Sequence, residues 1–336
     1  MRYRVRTFFY THFVCSLQQV AGTKGVKGNT MGAITQFEAH VVLEKLTQIN
    51  VVTQSFRAQL FLELCVRGGA NDSELVANAS EWFVARFEFL NKLTLYKQED
   101  FKRNDGENLL LTQRIDAEFS AEFLLHEFPS DMQKCEVVFT INCSHLAQHP
   151  AEIELSETHP SKVKAKFGPG NQWLLSPKLS IKGSRSDPED SVKKKTYPTL
   201  RIIALVKRRP WYYVTNVFLP MSAFVVMAFT SFMVDRSKNA SRMGISLTLV
   251  LTTASFKHFL TNILPAISYL TLLDQYIHIC QLFLFLIVLE NGFVGPLHLA
   301  AGNAVDVGCA CALGATFVLV GTVYFARIVR LAVRPF

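Results

Sequence analysis

The chain has 336 residues, enough for about two domains, and its apolar fraction of 49% is ordinary, so composition by itself excludes neither a soluble nor a membrane-embedded fold. The formal charge of +8 is spread over basic clusters at Lys193–Lys195, Lys207–Arg209, Arg236–Arg242 and Arg327–Arg334. Three of these flank apolar runs, which fits lipid headgroups and argues against a nucleic-acid partner.

In chain order, Met1–Arg6 is basic and Thr7–Leu17 is a short apolar run, a weak secretory-signal pattern, so residues 1–34 are expected to be a leader or a disordered segment. From Phe37 to Val66 apolar and polar residues alternate, most regularly over Phe56–Cys65, as half-buried strands do. After the turn-rich break Gly68–Ser73, further strands are predicted at Trp82–Leu90, Leu109–Ile115, Glu118–Leu125, Cys135–Ile141, Glu152–Leu155, Trp173–Ile181 and Thr199–Lys207. Short strands separated by Gly, Pro, Asn and Asp point to an all-β, antiparallel, immunoglobulin-like sandwich over residues 35–209. The seven cysteines show no metal-ligand spacing; Cys135 and Cys143 either pair or stay free. No catalytic arrangement stands out, the histidines are scattered, and no metal or cofactor is expected.

The apolar residues concentrate in 210–336. Trp211–Val234 is 24 residues without a charge, about 36 Å of helix against a hydrocarbon core of about 30 Å. Four spans are expected at about 211–234, 242–264, 271–294 and 307–328, making a transmembrane four-helix bundle. The second is unlike the others. Gly244, Thr248, Leu251, Ser255, His258 and Asn262 recur at steps of three and four and share one helix face. That face is mostly small and polar. In a bilayer it must pack against protein or line water. Packing through small residues is one reading. The other is a pore wall: one such face cannot enclose a pore, but several identical subunits around an axis can. Copies of Leu251 would then form an apolar ring between polar ones, a hydrophobic gate.

Here the chain resembles the pentameric ligand-gated ion channels, the Cys-loop receptor superfamily. Phe128-Pro129-Ser130-Asp131-Met132-Gln133-Lys134-Cys135 follows the family's F-P-x-D-x-Q-x-C pattern. Arg209-Pro210-Trp211-Tyr212-Tyr213, with Pro220, looks like its entry into the first span; Arg242-Met243-Gly244-Ile245-Ser246-Leu247-Thr248, with Leu251 and Pro265, like its second; Ser268-Tyr269 and Leu273-Asp274 like the opening of its third. Asn262-Ile263-Leu264-Pro265, Asp274-Gln275 and the short linker before the last span resemble bacterial members. The chain departs from the pattern at Ala121, where the family's first loop cysteine would stand, so the signature disulfide is absent.

The resemblance implies a homopentameric ligand-gated channel in the cell membrane, its sandwich extracellular or periplasmic, opened by a small-molecule agonist between sandwiches and conducting through the second helix. It places gating coupling at Asp131 and Arg209, as an ion pair, and at Pro265. An aromatic agonist box would attract an ammonium group, but it is thinly stocked here: Trp82 and Tyr197 are the candidates, and Trp173 reads as packing. Neither charge signature for ion selectivity is present at Ala240-Ser241; the bacterial-like residues favour cations slightly. A ring of His258 side chains would either titrate and bind divalent metal or act as plain polar lining. The positive-inside rule does not support this topology, because the outer ends near Lys207 and Arg327 are basic. The rival readings are a non-conducting, membrane-anchored β-sandwich binding protein and a membrane enzyme.

Overall fold

A computed structural model describes residues 34–336 except 145, 146, 148, 156–160, 169, 191–193, 236, 237, 262–267 and 295–302. The predicted leader (apart from residue 34), Asn262 and Pro265 lie outside the described residues.

Strands β1 (Thr35–Asn50), β2 (Ser55–Val66), β4 (Lys92–Asp105), β5 (Asn108–Ser120) and β7 (Ala151–Leu155) form one sheet in the order β4-β5-β2-β1-β7, with the short β8 (Lys162–Val163) also on β1. Strands β3 (Phe87–Phe89), β6 (Met132–Ile141), β9 (Trp173–Arg185) and β10 (Pro198–Arg208) form the second, ordered β3-β6-β10-β9. The alternation that predicted strands is the alternation of burial. Along β2 every second residue faces the other sheet, so Phe56, Ala58, Leu60, Leu62 and Leu64 enter one core with Phe119, Val137, Phe139, Ile141, Leu200, Ile202 and Val206.

The sandwich is not wholly antiparallel: β1 pairs β7 and β8 in parallel. Two further expectations are corrected. Trp82–Leu90 is not a strand but the end of a helix, α1 (Ser73–Trp82), a 3-10 turn and the three residues of β3. Asp72 caps α1 by accepting from the backbone of Glu74 and Leu75, and Leu75 and Ala79 seal it onto the core. Glu118–Leu125 straddles the end of β5, and the chain leaves the sheet after Ser120. β4 was not predicted at all. It lies at the edge of its sheet, exposed along most of its length, and its Lys, Glu, Asp and Arg side chains carry no apolar period. Such charge protects an open edge from pairing with other chains.

Four helices among the described residues are long and apolar enough to cross a membrane: α2 (Trp211–Met233), α3 (Asn239–Thr261), α4 (Leu272–Leu289) and α5 (Asn303–Val333). α2 is α-helical only in part, with a π-turn at Val214–Phe218 and a 3-10 end at Phe229–Met233. α3 and α5 begin three and four residues before the predicted spans. At α4 Thr271 and Asp274 form a capping box, which sets where the helix starts after the preceding linker. A second apolar cluster joins these helices around Met221, Val225, Tyr276, Cys280, Leu284 and Phe317 and includes Leu125 and Phe128 from the sandwich.

Candidate functional site

The predicted stripe on α3 is its open face. Gly244, Thr248, Ser255 and His258 are exposed, and Leu251 is 69% exposed in their midst. The opposite face is packed: Arg242, Ser246, Thr253 and Leu260 are buried, and Leu249 and Phe256 lean on the bundle core. Thr248 and Ser255 donate to the carbonyls of Gly244 and Leu251, four residues back, at 2.7 and 3.0 Å. That satisfies their donors within the helix and leaves their oxygens outward. Near the outer part of this helix Lys257 Nζ lies 3.2 Å from His278 Nε2 on α4, so the two helices share a basic pair beside His258. Helix α3 carries no Asp or Glu.

The second candidate region is the junction of sandwich and bundle. Asp131 is paired with Arg208, one residue before the predicted Arg209: Arg208 Nε donates to Asp131 Oδ1 at 2.8 Å, and both side chains are buried. The backbone N–H of Arg209 donates to the Gln172 carbonyl at 2.7 Å. The reason is the period of β10. Leu200, Ile202, Ala204 and Val206 point inward, so the next inward side chain is Arg208. Its guanidinium carbon sits 4.1 Å from the Trp173 ring centre and 5.1 Å from that of Phe128, an aromatic clasp for a buried cation. Trp173, read from sequence as packing, thus packs on the ion pair. The parity of β10 was the signal that would have identified Arg208.

The loop between β5 and β6 inserts from here into the bundle. The Leu125 N–H donates to Tyr269 Oη at 2.8 Å, and His126 stacks on the Tyr269 ring at 3.8 Å. The N–H groups of Leu272 and Leu273, at the start of α4, donate to the carbonyls of His126 and Phe128. Ser130 Oγ donates to the Ile328 carbonyl of α5 at 3.1 Å, and Lys207 Nζ donates to the Arg334 carbonyl. Burial, with Arg334 adding to it, pulls the Lys207 ammonium below its ordinary value. From the other side Gln54, in the β1–β2 turn, accepts the Phe123 N–H on its side chain at 2.6 Å. One loop therefore touches the β1–β2 turn, β10, the segment before α4 and the end of α5. Pro265 belongs to the undescribed part of that segment.

The aromatic candidates are placed apart. Trp82, at the end of α1, stacks on His149 at 3.7 Å and lines a cavity of about 540 Å³ with Glu38, Asp72 and Glu154, within one chain. Tyr197 is half-buried just before β10, its N–H on Ser186 Oγ at 2.9 Å. Cys135 and Cys143 are both free thiols. Cys143 Sγ instead faces the Trp82 carbonyl at 3.4 Å and the Arg86 guanidinium at 3.5 Å, and burial pushes the Cys135 thiol far up. Among the described residues no group of three or more His, Cys, Asp and Glu side chains is placed to hold a metal ion.

The family described as the neurotransmitter-gated ion-channel transmembrane region matches residues 217–304. Similar proteins include the gamma-aminobutyric acid receptor subunit gamma-3 of Homo sapiens, 26% identical over 188 residues that cover 56% of this chain and 38% of the relative. The gamma-1 subunit of Homo sapiens is 26% identical over 201 residues, 60% of this chain and 41% of the relative. The glutamate-gated chloride channel subunit beta of Haemonchus contortus is 26% identical over 190 residues, 56% of this chain and 43% of the relative. The matches thus span about two-fifths of the length of these relatives.

Proposed function

We propose that this chain, which through its membrane region belongs to the neurotransmitter-gated ion-channel family of the Cys-loop receptor superfamily, assembles as a pentamer of identical subunits whose α3 helices line a ligand-gated pore. One observation carries the proposal: a membrane-length helix packs one face into its own bundle and leaves a stripe of Gly244, Thr248, Leu251, Ser255 and His258 open. A bilayer would select apolar side chains there. Water on a five-fold axis accepts small polar ones. Leu251 is the gate in this reading, and the spacing in the sequence adds Asn262 to the pore-lining set.

The agonist is a small molecule bound between neighbouring sandwiches, with Trp82 and Tyr197 as its aromatic contacts. Binding shifts a closed–open equilibrium by differential affinity for the two states. The shift reaches the pore through Asp131, Arg208 and Tyr269, with Arg209 and Pro265 as further coupling candidates from the sequence. The small preference for cations rested on bacterial-like residues alone. Charge favours anions: α3 carries Lys257 toward its outer end and no acid, its Arg242 being buried off the open face, and one similar protein is named a chloride channel.

The test is current from the full chain in a bilayer, with an agonist and pH screen and reversal potentials in asymmetric NaCl. Agonist- or pH-evoked conduction whose reversal potential is displaced toward that of chloride supports the reading; a silent, correctly inserted protein overturns it. Cysteines at Thr248 and Ser255 should react with aqueous thiol reagents and block current, whereas one at Thr253, buried on the opposite face, should not. Equal rates at all three positions would remove the pore face.

A further inference from the structure

The geometry points to Asp306 on α5 as a determinant of ion selectivity: it holds the Arg242 guanidinium away from the pore and cancels its charge. This rests on the pore reading of α3. Arg242 precedes the open stripe by two residues, about 200° around the helix, and is completely buried while Gly244 is exposed. Its Nη2 lies 3.1 Å from both Asp306 carboxylate oxygens, its Nε donates to the Ser231 carbonyl at 2.9 Å, and the Phe232 ring covers it at 5.4 Å. Asn291 Nδ2 ties the same place together, donating to Ser231 Oγ at 2.9 Å and Ser246 Oγ at 2.8 Å, and Ser246 Oγ donates to the Arg242 carbonyl at 3.0 Å. All four membrane helices contribute to this knot: Ser231 from α2, Arg242 and Ser246 from α3, Asn291 just past α4, and Asp306 from α5.

The charge balance decides what the knot does. A guanidinium inside a bundle is tolerated when a carboxylate and further acceptors replace its water. Asp306 supplies the carboxylate that meets the Arg242 guanidinium at hydrogen-bond distance. Without it, the long side chain would gain by reaching the water nearest to it. That water lies at the inner end of α3, which begins at Asn239, less than one turn from Arg242. Repeated around a five-fold axis, this puts a ring of guanidiniums at the pore entrance, where it concentrates anions. With Asp306 present the ring is withheld, and the inner mouth presents the neutral Ala240 and Ser241.

The experiment compares the full-length wild type, Asp306→Asn and the double variant Arg242→Gln/Asp306→Asn in planar bilayers, reading the chloride-to-sodium permeability ratio from reversal potentials. Asp306→Asn should raise the ratio by roughly tenfold, and the double variant should return it to within about twofold of wild type. A ratio unmoved by Asp306→Asn, or moved equally in the double variant, overturns the inference. A double-mutant cycle of Tm in detergent, completed with Arg242→Gln, tests the pair without current. Strong coupling is expected, because each single change strands a buried partner; additive losses overturn the pair even if the channel conducts. A wild type without current that still shows the coupling fails the pore reading instead, and takes the selectivity role with it.

Discussion

The sandwich and the membrane bundle both bury apolar side chains but present opposite surfaces. In the sandwich the interior is apolar, with Phe37, Phe56, Phe119 and Phe139 at its centre, and the open edge β4 is charged. In the bundle the exposed surface is apolar, with Leu282, Phe285, Val318 and Leu319 all more than half exposed. Its interior holds, beside the apolar cluster around Met221 and Leu284, the polar group Arg242, Asp306, Asn291, Ser246 and Ser231. Water rewards the first arrangement and hydrocarbon the second. The lesson lies in the exception. The open side of α3 mixes Gly244, Thr248, Ser255 and His258 with Leu247, Leu251 and Phe259, whereas the open faces of α4 and α5 are mostly apolar, so its surroundings differ from theirs.

If that comparison holds, the largest loss should come from the apolar interior of the sandwich. Phe139→Ala, at a fully buried ring in contact with Phe87 and Phe89, should cost about 3–5 kcal/mol and lower Tm or abolish expression. Where the two regions meet, Arg208→Ala leaves Asp131 buried without its cation. It should cost about 3 kcal/mol and remove agonist-evoked current, whereas Arg208→Ala/Asp131→Asn should recover much of the stability. A cycle showing no recovery would mean that the aromatic clasp, and not the ion pair, holds the junction.

Within the bundle the effects should shrink. Ser222 Oγ donates to the Phe218 carbonyl, so Tyr276 Oη is the donor in its 2.6 Å contact with Ser222. Tyr276→Phe should cost only about 0.6 kcal/mol, since a chain unfolded within the membrane also finds polar partners. A loss as large as that at Phe139 would break the contrast.

The smallest effect is expected on the sandwich surface. The Arg57 hydrogen bond, opposed by burial and helped by Gln59, holds the Asp116 carboxyl below its ordinary value. The folded value is therefore lower than the unfolded one. The contribution is complete above the ordinary carboxylate pKa and fades as pH falls through the lowered one. Melting curves from pH 7 to pH 3 should converge for wild type and Asp116→Asn toward the acid end.

Much of this was written locally. Alternation over Phe56–Cys65 and uncharged length over Trp211–Val234 report burial directly, because side-chain period and hydrocarbon thickness are fixed by backbone geometry. The stripe from Gly244 to His258 was legible for the same reason. The sign on β4 was unreadable, because an edge strand is selected for charge and shows no apolar period. Helix α1 had a cap at Asp72 and apolar residues at Leu75 and Ala79, a signal present but too short to outweigh the strand-like residues after it.

By itself, then, the sequence determined the two layers of the sandwich, the four spans and the odd polarity of the second, since each depends on a period or a length within one segment. The tertiary structure alone decided the partners. Asp131 meets Arg208, 77 residues away, and Arg242 meets Asp306, 64 residues away. Pairing over such separations depends on how sheet and helices pack. No local period carries that information.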